Sequence, residues 1–203
     1  SADTLEGVQD AELADLLHRA APIYRRLWWD AHERANQARE REANELVRRH
    51  GDPVLAYILR VYQEKWPEDG YPVQLAAWVN WAGAFSTGDR HLVVSSLDEG
   101  TRGMLGLEIL FHEAMHQWDQ SVQAKLDAAA GKRIQGPLSH AMIFYTAGEA
   151  VHAAVPECSL PVPGSSERGP APRFPGVRGE RAPSRAPRIR LQGTPRGRRF
   201  DAQ

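Results

Sequence analysis

Within Leu107-Glu108-Ile109-Leu110-Phe111-His112-Glu113-Ala114-Met115-His116-Gln117-Trp118, two histidines stand four residues apart, with a glutamate directly after the first. Nothing between Arg102 and Lys132 forbids a helix. On a helix, positions four apart share a face, so both imidazoles can reach one metal ion. Glu113 is turned about 100° from His112, which keeps it beside the ion rather than bound to it. A base stands there to take a proton from water activated by the ion. Phe111, Met115, Trp118 and Val122 form an apolar stripe on the other side and give the helix a face to bury. The competing interpretation is a surface helix with two unconnected histidines. The apolar run leading into His112 argues against it, because that run places the pair at depth.

Two histidines do not complete a catalytic zinc site, which takes three protein ligands and keeps one position open. A metzincin continuation requires Gly at 119 and His at 122; the chain has Asp119 and Val122, which excludes that branch. Glu149 is the only glutamate between Glu113 and Pro156, and it sits in the otherwise apolar stretch from Ser139 to His152. Burying it unpaired is costly, so it is the candidate third ligand. Small Ala147, Gly148 and Ala150 beside it let two helices approach closely.

The pattern His112-Glu113-x-x-His116 with a downstream glutamate resembles the gluzincin metallopeptidases, the thermolysin-like zinc group, over roughly residues 75–155. The resemblance implies a zinc ion held by His112, His116 and Glu149, Glu113 as general base, and a zincin-like fold. The spacing to Glu149 is longer than in thermolysin, and Tyr145 stands where the second motif of that group has Asn.

Several neighbours are candidates for supporting roles. Tyr145 shares a helical face with Glu149, and its phenol can stabilise an oxyanion. Asp119 lies one turn beyond His116 and can hold that imidazole by its second nitrogen, or simply face water. His140 lies nine residues before Glu149, so on one continuous helix the two point in opposite directions. It reaches the site, as a transition-state donor or substitute ligand, only if the helix begins after it. Glu149-x-x-His152 repeats the Glu-x-x-His spacing of Glu113 and His116, as di-iron bundles do. No glutamate occurs between 114 and 148, and that interval is too short for two long helices, so His152 reads as a helix-end residue.

The rest of the chain reads as one domain over 1–155 with an appendage. Helices are expected from about residue 10 to an interruption at Pro22, from Ile23 to Gly51-Asp52-Pro53, and from Val54 to Trp66. Trp28, Trp29 and His32 read as core or as a wall of the site. The interleaved charges from Glu33 to Arg49 read as a solvated face. Short β-type runs follow over 72–79, 81–87 and 91–95, predicting a small, mostly antiparallel sheet just before the metal helix. Asn80 to Phe85 is the candidate edge, which the zincin resemblance implies would align extended substrate. Asp98 and Glu99 read as solvated loop acids.

Residues 156–203 differ in kind. They carry 10 basic and 4 acidic side chains, against 15 and 22 in 1–155, and they contain 9 Pro and 6 Gly. No period survives there, which predicts an irregular, disordered tail. One reading is a basic arm for nucleic acid or an acidic membrane surface. The other, which the abrupt change favours, is an out-of-frame read-through replacing the true C-terminal part. Nothing upstream supports nucleic-acid recognition, and no run of eighteen apolar residues exists to span a membrane. The start at Ser1 fits a processed, exported chain (periplasmic or extracellular) or a trimmed one. A single cysteine, Cys158, excludes an internal disulfide.

The expectation is therefore an α+β, zincin-like fold: N-terminal helices, a small sheet, then the His-bearing and the Glu-bearing helix. The expected activity is zinc-dependent hydrolysis of an amide bond in a peptide or protein substrate. The alternatives are a metal-binding or interaction protein without catalysis, and a zinc hydrolase of a non-peptide amide or ester.

Overall fold

The computed structural model describes residues 8–87 and 91–156, together with the backbone of 189–192. The first helix, α1 (Ala11–Tyr24), is capped by Asp10, whose Oδ1 accepts from the Glu12 and Leu13 amides at 2.9 and 3.1 Å. Pro22 does not end it. A π-helical turn, Arg25–Trp29, follows directly, and α2 (Asp30–Tyr62) continues from it. The loss of one amide at Pro22 is absorbed without a break. The predicted stop at Gly51-Asp52-Pro53 is also absent, so the two expected helices are one. Gly51 is buried, and Val54, Leu55, Ile58 and Tyr62 beyond it fill the core. Tertiary packing of that face outweighs a proline cost of about 3 kcal/mol. The helix ends at Gln63, left-handed at φ 54°, whose amide bonds the Leu59 carbonyl at 2.8 Å.

The three strands expected before the metal helix form: β1 (Tyr71–Ala76), β2 (Ala84–Thr87) and β3 (His91–Ser95). Their pairing corrects the expected antiparallel sheet. β2 and β3 are antiparallel, but β3 runs parallel to β1, with Leu92 beside Val73 and Val94 beside Leu75. After β1 the chain turns through residues 77–83 and lays β2 beyond β3, so β3 returns between them in the direction of β1. A fourth strand, β4 (Ile189–Gln192), adds parallel to β1, giving the order β2-β3-β1-β4. The C-terminal region is thus not wholly irregular. Ile-Arg-Leu-Gln alternates apolar and polar residues, and the outer side of β1 offers backbone groups to pair. Its other residues, with Cys158, lie outside the described ones.

Behind the strands come α3 (Gly103–Met115), a tight 3-10 turn (His116–Trp118), α4 (Asp119–Ala130) and α5 (Leu138–Ala154). The single helix expected across 102–132 is therefore divided at His116. Phe111, Met115, Trp118 and Val122 are all buried, as their spacing predicted. Trp66 joins them, with ring centroids 6.1 Å from Phe111 and 6.0 Å from Trp118. Tyr62 Oη and Thr146 Oγ1, 3.0 Å apart, tie α2 to α5 inside the core. Ser96 Oγ donates to Asn36 Oδ1 at 2.6 Å, and the Gly103 amide donates to Glu42 Oε1 at 2.7 Å. These bonds lock the start of α3 to α2 and so fix where its histidines emerge. Among the described residues no helix is long and apolar enough to cross a membrane.

Candidate metal centre

Three faces enclose a cleft of about 910 Å³: the cleft side of α3, β2 with the turn before it, and the first half of α5. His112 and His116 come from α3 and the turn that ends it, and their Nε2 atoms lie 3.2 Å apart. The third member is His140 from the first turn of α5. Its ring centroid is 5.1 Å from that of His112 and 5.2 Å from that of His116, nearly parallel to the latter. The ligand atoms of all three lie within 4.8 Å of one another. Two nitrogens bound to one tetrahedral zinc at its usual bond length stand about 3.3–3.4 Å apart. The spacing of the Nε2 pair fits a shared ion.

Protonation favours ligation as well. Burial, together with the neighbouring His116 and His140, holds His112 down to about 3, so its imidazole is neutral at ordinary pH. His116 Nδ1 lies 2.9 Å from Asp119 Oδ2. A carboxylate only accepts, so Nδ1 carries the proton and Nε2 presents its lone pair to the cleft. The possible supporting role of Asp119 is thus the contact the structure makes. Phe144 also lines the cleft, its ring 5.4 Å from His112 and nearly perpendicular to it.

Glu113 lines the same cleft. Burial raises its pKa, and this outweighs the opposing hydrogen bond from Ser86 and the charges of His116 and His140. Ser86 is on β2, an outer strand of the sheet, and atoms of residues 84–87 line the cleft. The edge expected at Asn80 to Phe85 is thus displaced toward 84–87. Asn80 instead begins a turn, accepting from the Ala82 amide at 3.0 Å, and Gly83 completes it at φ 77°. A Cβ at Gly83 would stand 2.8 Å from Asp98 Oδ2, so only glycine fits.

Glu149 and Tyr145 are not in the cleft. Because α5 is a single helix from Leu138, it starts before His140 and carries that residue and Glu149 on opposite faces. The face toward α3 is the one bearing His140, Phe144 and Gly148. The Glu149 charge and, more weakly, Tyr145 act instead on Tyr57 of α2, adding to the effect of burial on its phenol. Tyr145 is 52% exposed. The group that could hold a metal ion is His112, His116 and His140, and the expected ligand Glu149 and the expected oxyanion donor Tyr145 lie away from it.

Other expectations resolve locally. His32 Nδ1 bonds Tyr24 Oη at 2.8 Å and takes no part in the cleft, while Trp28 is exposed rather than core. Asp98 caps the turn after β3 by accepting from the Gly100 amide at 2.8 Å. His152 is exposed at the end of α5. Among the cleft residues not anticipated are Ser86, which no local pattern marks, and Glu108, whose position four before His112 was the available signal. The described residues of the cleft all lie between 81 and 144. No protein-family model, curated protein or solved structure matches this chain.

Proposed function

We propose that this protein is a zinc-dependent hydrolase of zincin-like type that cleaves amide bonds in peptides, with the ion held by His112, His116 and His140. The observation that carries the proposal is the meeting of three imidazoles beside a half-buried carboxylate that does not join them. A three-histidine set leaves a tetrahedral ion one position for water or substrate. When bound, zinc supplies Lewis acidity to the substrate carbonyl and makes water a stronger acid.

The chain's own residues do the rest. Glu113 accepts the proton from the attacking water and passes it to the leaving amine. Its raised pKa brings it closer to the range in which one group can both take and give a proton. Ser86 donates to that carboxylate and holds its orientation. Asp119 keeps the His116 tautomer that faces the ion. Along β2, an outer strand, an extended peptide can add as a further strand and bring its carbonyl over the histidines. The resemblance to the gluzincins is then confined to His112, Glu113 and His116, because the glutamate that defines that group points away.

Elemental analysis of the purified full chain, with cleavage of a peptide library, tests this. One zinc per chain and cleavage are expected. Glu113→Gln should keep the metal and lose turnover by about 10²–10⁴-fold. A Glu113→Gln protein that cleaves as fast as the parent removes the mechanism.

A further inference from the structure

Glu108 is a third carboxylate in the cleft, beside Glu113 and Asp119, and the hydrolytic mechanism leaves it unused. It precedes His112 by one helical turn on the same face of α3, about 6 Å along the axis. Its side chain is nearly enclosed, at 8% exposure. Across from it α5 carries Gly148, where a Cβ would stand 3.3 Å from Glu108 Oε1. A glycine at that position leaves the room that the carboxylate occupies.

Among the described residues Glu108 has no cation beside it. Burial raises its pKa, and no described positive charge pulls the other way. Among the described residues no lysine or arginine lines the cleft. Arg39, buried on α2, is packed against Gly106 and Thr101 with Glu42 as its ionic neighbour at 3.5 Å. The other two carboxylates in the cleft are engaged, Glu113 with Ser86 and Asp119 with His116. Leu105, Ile109 and Phe144 line the same cleft and supply apolar surface to it. An apolar sleeve ending in an unpaired carboxylate matches one ligand shape, an aliphatic stem with a positive tip.

We propose that Glu108 is a specificity residue that accepts the ammonium or guanidinium group of a lysine or arginine side chain next to the scissile bond. The proposal rests on the cleft being the site of peptide hydrolysis. It deepens that reading by giving the substrate a charge. Leu105, Ile109 and Phe144 take the methylene stem, and the carboxylate takes the charged end. Discrimination follows because a neutral side chain of the same length leaves the buried carboxylate without a partner.

Binding measured apart from turnover tests it. Zinc-loaded full-length Glu113→Gln protein is titrated with fluorescent hexapeptides identical but for one central residue, lysine, arginine or norleucine. Norleucine has the lysine stem without the ammonium. The lysine and arginine peptides should bind about 10–100-fold more tightly than norleucine. Adding Glu108→Gln should bring the ratio close to one, with zinc content unchanged and melting no lower than the parent's. Adding Glu108→Lys instead should turn the preference toward a glutamate peptide. Indistinguishable peptides, including binding by none of them, overturn the proposal, as does a ratio that survives Glu108→Gln. Cleavage by the parent protein separates this proposal from the hydrolase reading. Cation preference without hydrolysis sinks only the hydrolase, and hydrolysis without preference sinks only the role of Glu108.

Discussion

His116 Nδ1 and Asp119 Oδ2 lie 2.9 Å apart across the tight turn where α3 gives way to α4. The contact decides which imidazole nitrogen is free, and the free one stands 3.2 Å from His112 Nε2. Asp119→Ala removes the anchor but no ligand. Metal affinity should fall about 10–100-fold, read by competition with a chromophoric chelator. An unchanged affinity would show that His116 holds its orientation without help.

His140 and Glu149 give a sharper contrast, because the continuity of α5 sets them on opposite faces. After dialysis, His140→Ala should retain much less than one zinc per chain, while Glu149→Gln should retain the parental amount. The reverse pattern would restore the glutamate as ligand and discard the three-histidine site.

Ser86 reaches Glu113 from the outer strand of the sheet. Ser86→Ala should lower kcat by up to about tenfold, the worth of one hydrogen bond to a charged group. Zinc content should not change. A loss of metal would mean that the strand supports the ligands rather than the base.

Glu108 should cost stability as the pH rises. Its folded pKa lies above the ordinary value of 4.5 because of burial. The folded protein therefore holds this proton more tightly than the unfolded chain, and stability falls as pH climbs from about 4.5 through the folded pKa. Glu108→Gln escapes that penalty. At pH 8 the variant should be more stable by on the order of 1 kcal/mol, about 2–4 °C in Tm. The gain should shrink toward pH 4. A variant less stable than the parent at pH 8 would mean that the carboxylate has a partner inside the folded chain.

Two glycines on the helices of the site should respond oppositely to alanine. A Cβ at Gly106 would stand 2.0 Å from the Thr101 carbonyl oxygen, and backbone cannot move aside cheaply. Gly106→Ala should destabilise by about 1–3 kcal/mol or more. At Gly148 the nearest atom is the end of the Glu108 side chain, 3.3 Å away, which can shift by a few tenths of an ångström. Gly148→Ala should be neutral or stabilising by up to about 1 kcal/mol. Thermal melts of the two variants check this, and a large loss at Gly148 would mean that the Glu108 carboxylate is held rigidly.

Much of the local structure was legible in the chain. The four-residue spacing of His112 and His116 fixes their common face, because helical geometry relates neighbours by a constant angle. The apolar stripe through Phe111, Met115, Trp118 and Val122 is buried as read, and the runs near 72, 84 and 91 are strands. Other breaks and pairings depended on packing. Pro53 sits inside α2 because the local cost of a proline is smaller than the gain from burying that helix, whereas α1 carries Pro22 with no buried residue to offset it. β1 and β3 are parallel because the chain placed β2 outside them, and no residue pattern records the direction of a partner strand.

The third ligand marks the boundary most clearly. By itself the sequence determined that His140 and Glu149, nine residues apart on one helix, cannot face the same way. Which of the two meets His112 and His116 depends on the rotation of α5 about its axis. That rotation is set by buried Ile143, Thr146, Ala147, Ala150 and Val151 against α2 and α3, the buried set that only the folded structure defines. The tertiary structure therefore decided which side chain joins the histidine pair, and by the same rotation it brought Gly148 against Glu108.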